Sequence, residues 1–470
     1  MGRGTALAAF AFLVGCTGNT GNISSSPIPT LSPAPTASEY VGGPYPTRGS
    51  VIATTDVRRQ GCSSCTAVPM IFATADLDRD GTAEFITGLE VLDRNGGFTF
   101  DRAQLSIFSA NGARYRGLRS APAMTHPREV VVADFNGDRV DDIFVAAHGY
   151  DASPFPGEQN GLILSAGAGR HADVSATHLP DLSDFAHGAD AGDIDRDGDQ
   201  DIIVVTNAAG GEARVGNYVL LNDGSGRFIF SAGRNHFPAG SMQRPNSFLT
   251  ARLADMNGDG NLDLLMAGNG DESQHSVLAY GDGTGKFSRT TSLPRGPFGR
   301  STWTTDIRAV DLNRDGILDL MLLNTGQFGG DRFRGLHIQV LVNEGGRFVD
   351  ETSERMWGQN WPGQEGVFIS HELSLADLNL DGAVDFVVRS LNPVWEEQPG
   401  DMVAQVGLND GTGRFRPVSP RWLDPAAGYE ARQLLPFRSR GRWAIIGHSL
   451  SGQQSAGGFQ TFGQQLTVYR

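Results

Sequence analysis

From about residue 49 onward the chain is a succession of short apolar runs, each entered through acids and glycine and left through a polar turn. "IFVAA" (143–147), "IIVV" (202–205), "LLMAG" (264–268) and "LMLL" (320–323) are typical. Runs this short, aliphatic and without alternation predict strands buried on both faces. No helical period separates them.

Each run follows the same polar signature. It reads "DLDRDGTAE" (76–84), "DFNGDRVDD" (134–142), "DIDRDGDQD" (193–201), "DMNGDGNLD" (255–263), "DLNRDGILD" (311–319) and "DLNLDGAVD" (377–385). Successive starts lie 58, 59, 62, 56 and 66 residues apart, a repeat period that decides the architecture. About 25 residues after most loops comes a hairpin signal, as in "LLNDGSGRF" (220–228), "AYGDGTGKF" (279–287), "LVNEGGRF" (341–348) and "GLNDGTGRF" (407–415). Each unit therefore holds roughly four strands, and tandem four-stranded units predict an all-β fold, a β-propeller. A last unit, 430–449, keeps the strand–loop–strand outline without the acids, and "QQLTVYR" ends the chain. Its missing outer strand is supplied by 49–57, which closes the ring by pairing the two ends. The expected count is seven blades, with six or eight as alternatives.

These repeats resemble the FG-GAP and VCBS repeat families, whose fold is the integrin α-subunit type of β-propeller. The resemblance covers roughly residues 49–470 and implies one calcium ion per intact loop, about six in all. Calcium takes six to eight oxygens at about 2.3–2.6 Å. Positions 1, 3, 5 and 9 would give side-chain oxygens and position 7 its carbonyl. The ligand sets are Asp76, Asp78, Asp80, Thr82 and Glu84; Asp134, Asn136, Asp138, Val140 and Asp142; and Asp193, Asp195, Asp197, Asp199 and Asp201. They continue as Asp255, Asn257, Asp259, Asn261 and Asp263; Asp311, Asn313, Asp315, Ile317 and Asp319; and Asp377, Asn379, Asp381, Ala383 and Asp385. Glycine serves the turn at position 6 everywhere except the second loop, where Arg139 must take an awkward backbone and marks the weakest site. A helical-hand calcium loop is excluded, because a strand follows position 9 at once.

Charge now reads differently. The formal net charge is −15, which disfavours nucleic acid and anionic lipid surfaces. Yet positions 1, 3, 5 and 9 of the loops hold four, three, four, three, three and three acids, twenty of the chain's 53. Six calcium ions would bring the net charge to about −3, so most of the net acidity is then committed to metal.

The start of the chain reads as a signal for export. Arg3 precedes a short apolar run, and "LVGC" (13–16) resembles a bacterial lipobox, making 1–16 a signal peptide and Cys16 the lipidated residue. A plain cleaved signal is the alternative. Residues 17–48, rich in Ser, Thr, Pro and Gly, read as a disordered tether. The expected place is the bacterial cell envelope, as an outer-membrane or surface lipoprotein that touches the membrane only through its anchor. Cys62 and Cys65 read as a tight local disulfide, with a redox pair or half a zinc site as alternatives.

A working site is harder to read. Three and five residues before the loops, polar groups recur on one face of the entering strands: Glu129, Asp190, Arg252, Asp306, Arg308 and Glu372, with His187 and His371, six before, near the rim. They predict a polar central channel that either holds a sugar or acidic ligand, or simply pairs its own charges. Trp303, Trp357, Trp361 and Trp395 could stack on sugar rings or pack between blades. "GHSLSG" (447–452) misses the lipase elbow at Ser451. The expectation is a monomeric binding module for an unidentified carbohydrate or protein. A polysaccharide lyase or hydrolase is the alternative.

Overall fold

The computed structural model describes residues 49–56, 66–93, 99–153, 155–167, 169–206, 215–243, 248–268, 275–296, 302–325, 336–356, 370–391, 405–417, 433–439, 442–455 and 458–469. Cys16, Cys62, Cys65, the tether, Trp357, Trp361 and Trp395 lie outside them, as does the side chain of His371. No helix among the described residues is long and apolar enough to cross a membrane.

Among the described residues there are six four-stranded antiparallel sheets, one three-stranded sheet and two short two-stranded ones. The first strands of the seven larger sheets are Thr66–Ala75, Pro127–Ala133, Ala186–Gly192, Phe248–Ala254, Trp303–Val310, Ser370–Ala376 and Gln433–Ser439. Each touches the next, and the last touches the first, so the inner strands close a ring. The last sheet takes its outer strand from Gly49–Asp56, which pairs antiparallel with Gly458–Tyr469 from Gly49 opposite Tyr469 to Asp56 opposite Gly463. The fold is an all-β propeller.

The blade count needs a correction. Seven four-stranded blades were expected and six are present. The unit of the first loop has only Thr66–Ala75, Glu84–Leu92 and Ser106–Phe108. Its hairpin forms, since the Ala113 N–H donates to Asn111 Oδ1 at 2.9 Å, but the return strand shrinks to a single bridge between Phe108 and Arg114. The chain then leaves its own sheet: the Arg119 N–H donates to the His171 carbonyl and the His171 N–H to the Gly117 carbonyl. The neighbouring blade's edge has captured the segment.

Burial explains the apolar runs. Every residue of Asp142–Ala147, Asp201–Thr206, Asp263–Gly268 and Asp319–Thr325 is buried, because each second strand lies between two neighbouring sheets. Pleating divides its side chains between them. Ile202 and Val204 pack back against Phe144 and Leu162, while Ile203 and Val205 pack forward against Leu264 and Met266. Burying each such side chain contributes about 1.5–3 kcal/mol.

Candidate functional site

The acidic loops lie where the first strands end and the second strands begin, all at one end of the ring. In all six, the position 7 N–H donates to Oδ1 of position 5, at 2.7 to 3.0 Å. The position 6 N–H donates to Oδ2 of position 1, at 2.6 to 3.2 Å. This turn needs left-handed backbone twice. Position 6 has φ between 67° at Arg139 and 101° at Gly198, and position 4 holds Arg79, Arg196, Arg314 and Leu380 at 61° to 64°. Arg139 thus adopts the conformation expected to be awkward, while its N–H still reaches Asp134 Oδ2 at 2.6 Å. Its side chain is exposed, so Arg139→Gly is expected to stabilise the chain by about 0.5–1 kcal/mol, read as a higher midpoint of chemical denaturation. A lower midpoint would contradict this.

Position 9 is buried in every loop, from 0% exposure for Asp142, Asp263, Asp319 and Asp385 to 3% for Glu84. One carboxylate oxygen accepts the position 2 N–H, as from Phe135 to Asp142 at 2.8 Å and from Leu378 to Asp385 at 2.8 Å. The other accepts an N–H from the third strand, as from Asn222 to Asp201 and from Asn343 to Asp319, each at 2.9 Å. Burial pushes these acids up: Asp142, Asp201 and Asp385 to about 7 and Glu84 to about 8.

A pH dependence follows for the metal-free protein. A folded-state pKa above the unfolded value means stability that is present at low pH and lost as pH rises through the folded value. Chelated protein is therefore expected to gain melting temperature as pH falls from about 8.5 to 6.5. Below that, buried His126, His148 and His187, all pushed down by desolvation, oppose folding in the protonated form and offset much of the further gain. Scanning calorimetry in chelator across this range checks it; a monotonic loss on acidification would contradict it.

The residues present fit a cation. Oxygens of Asp193, Asp195 and Asp197 lie within 4.8 Å of one another, as do those of Asp76, Asp78 and Glu84. In five loops the position 1 Oδ1 accepts the position 5 N–H, but Asp193 Oδ1 is buried with no hydrogen-bond partner. A buried carboxylate oxygen left this way is costly unless an ion meets it.

Two features of these loops escaped sequence reasoning. Asn222, Asn343 and Asn409 open the hairpins and read there as turn residues. Their Nδ2 groups donate to the position 2 carbonyls of the preceding blade, Phe135, Met256 and Leu312, at 2.8, 3.1 and 3.0 Å. Arg196 and Arg314, at position 4, donate to the Gly260 and Asp381 carbonyls of the next loop at 2.7 and 3.0 Å. The loops thus form a connected belt.

The expected channel residues do converge. Arg252 Nη2 lies 3.0 Å from both Glu129 Oε1 and Asp306 Oδ1. Arg308 donates to Asp306 Oδ2 through Nε at 3.0 Å, and the Leu373 N–H donates there at 2.8 Å. Asp190 Oδ2 accepts from the Leu253 N–H at 2.8 Å. Strands from five blades are tied together, and their charges largely satisfy one another. His187 points elsewhere, with Nε2 2.9 Å from Arg128 Nη2. Glu372 is half-buried on its strand. Trp303 is buried at 9% exposure, so of its two readings packing holds.

A further cluster was not foreseen. His126, His148 and Asp151 are buried beside Glu90, with His126 Nδ1 2.7 Å from Glu90 Oε1. His126 precedes the strand Pro127–Ala133, while His148 and Asp151 lie three residues apart in the segment after Asp142–Ala147.

The fold and loops define a repeat propeller. The chain carries FG-GAP-like repeats, matched at residues 134–204 and 255–322. No curated protein matches it. Among solved structures it is similar to a rhamnogalacturonan lyase of Bacillus licheniformis, at 13% identity and a TM-score of 0.42, over 92% of this chain and 75% of that one. It is also similar to an α-L-arabinanase of Penicillium chrysogenum complexed with arabinobiose, at 10% identity and 0.43, over 73% and 93% of the two chains. An α-L-arabinofuranosidase of Fusarium graminearum gives 11% and 0.43, over 79% and 98%.

Proposed function

We propose that this protein is a calcium-clamped propeller, exported and held at the cell envelope through a lipid on Cys16, and that it binds a carbohydrate or protein ligand. The observation that carries the calcium reading is the shared loop geometry, with Asp193 Oδ1 buried and unpartnered beside Asp195 and Asp197. Calcium would supply the countercharge that lets these carboxylates sit together. Binding is favoured over catalysis because the channel charges named from the sequence are engaged with one another: Arg252 with Glu129 and Asp306, and Arg308 with Asp306.

A glycan panel tests the ligand class in calcium-containing buffer. Retention of a glycan without product release is the expected result. New reducing ends or unsaturated products from a polysaccharide panel would overturn the binding reading in favour of an enzyme. The anchor is tested by labelling cells with a fatty acid analogue, where Cys16→Ser is expected to abolish labelling.

A further inference from the structure

We propose that His126, His148 and Asp151 form a binding site for a divalent transition-metal ion of the zinc class, at the end of the ring opposite the acidic loops. One imidazole nitrogen from each histidine and a carboxylate oxygen of Asp151 lie within 4.8 Å of one another. A zinc tetrahedron, with bonds of about 2.0–2.2 Å, has edges of roughly 3.3–3.4 Å. Each donor therefore moves inward by less than about 1 Å to close on the ion.

The site is built rather than incidental. His126, His148 and Asp151 are 0%, 2% and 5% exposed. His126 immediately precedes the strand Pro127–Ala133 and His148 immediately follows Asp142–Ala147, so one pair of adjacent strands sets both. The His148 N–H donates to the His126 carbonyl at 3.2 Å, and the two rings lie 3.8 Å apart. Phe185 from the next blade stacks on the other face of His148, at 4.0 Å and 13°.

Nitrogen assignment follows from the neighbours. His148 Nδ1 lies 3.1 Å from the Gly149 carbonyl, and His126 Nδ1 lies 2.7 Å from Glu90 Oε1. The Gly149 contact leaves Nε2 of His148 as its lone-pair nitrogen. Glu90 lies beside His126 Nδ1 without hydrogen-bond alignment, close to where a carboxylate commonly supports a ligating histidine.

Charge points the same way. Two carboxylates, Glu90 and Asp151, are buried here, and Glu90 Oε2 has no hydrogen-bond partner among the described residues. The neighbouring cation, Arg128, gives its Nη2 to His187 and, as a single charge beside both acids, offsets them only in part. A divalent ion compensates both acids. Two imidazoles and one carboxylate suit zinc and its neighbours, whereas calcium asks for six to eight oxygens. Eight residues of extended chain separate His126 from Asp134, about 26 Å, so this site is independent of the loops.

The test uses the full chain, chelated, returned to millimolar calcium so that the loops are supplied, then titrated with Zn2+ and separately with Co2+. One equivalent of zinc retained on desalting, and a tetrahedral visible spectrum with cobalt, are the expected results. Asp151→Asn and His148→Gln should lose that equivalent, and Glu90→Gln should weaken it by about 10–100-fold. Asp193→Asn should retain it, which separates this site from the loops. If His148→Gln fails to fold, Asp151→Asn and the wild-type cobalt spectrum still decide. No retained zinc in calcium buffer, or equal retention by folded Asp151→Asn, would overturn the proposal.

Discussion

Excess chelator is expected to lower the melting temperature by about 10 °C. On the calcium reading proposed above, an ion at ten times its dissociation constant stabilises the fold by about 1.4 kcal/mol, so six contribute about 8 kcal/mol. Melting entropy of about 2.1 cal/mol/K per residue, over the roughly 420 residues of the propeller, converts this to the stated shift. The physical cause is local. Each loop packs three to five acids around one turn, and without the ion they repel while position 9 stays buried. The effect should reverse on adding calcium and should not be reproduced by magnesium, which keeps its waters. An unchanged melting curve would contradict it.

The second large effect is expected at Asp306, in the centre of the ring. Its side chain is fully buried and meets Arg252, Arg308 and the N–H groups of Ile307 and Leu373. Asp306→Ala removes four partners at once. It leaves Arg252, itself 7% exposed, with Glu129 as its hydrogen-bonded carboxylate and Asp190 nearby. Breaking one side of a buried ion pair costs about 3–5 kcal/mol, far more than the pair contributes over an apolar replacement. Asp306→Leu combined with Arg252→Met should therefore recover much of the loss. Denaturation of calcium-loaded protein measures both. A cost below about 1 kcal/mol for Asp306→Ala would show that the centre is more hydrated than its burial indicates.

What could be read from the chain depended on how local the determinant was. The acidic loops were legible because positions 1 to 9 are contiguous, and the buried second strands because they lack alternation. The pairing of Gly49–Asp56 with the last strand was legible too, because a blade with three strands needs a fourth. The first sheet was misjudged because its turn chemistry at Asn111 is sound, and the loss of a strand is decided by the neighbouring edge at His171. Asn222, Asn343 and Asn409 were read as turn formers because their second role, reaching the preceding blade, is 87 to 97 residues away in sequence. His148 and Asp151 sit three residues apart, too common a spacing to mark a site, and His126 joins them only once two adjacent strands are paired.

Calcium content tests most directly whether the loops are metal clamps. Protein dialysed to equilibrium against millimolar calcium, then assayed by elemental emission, is predicted to hold about six ions per chain, falling by one in Asp193→Ala. A chain that holds none beyond the buffer blank would contradict it.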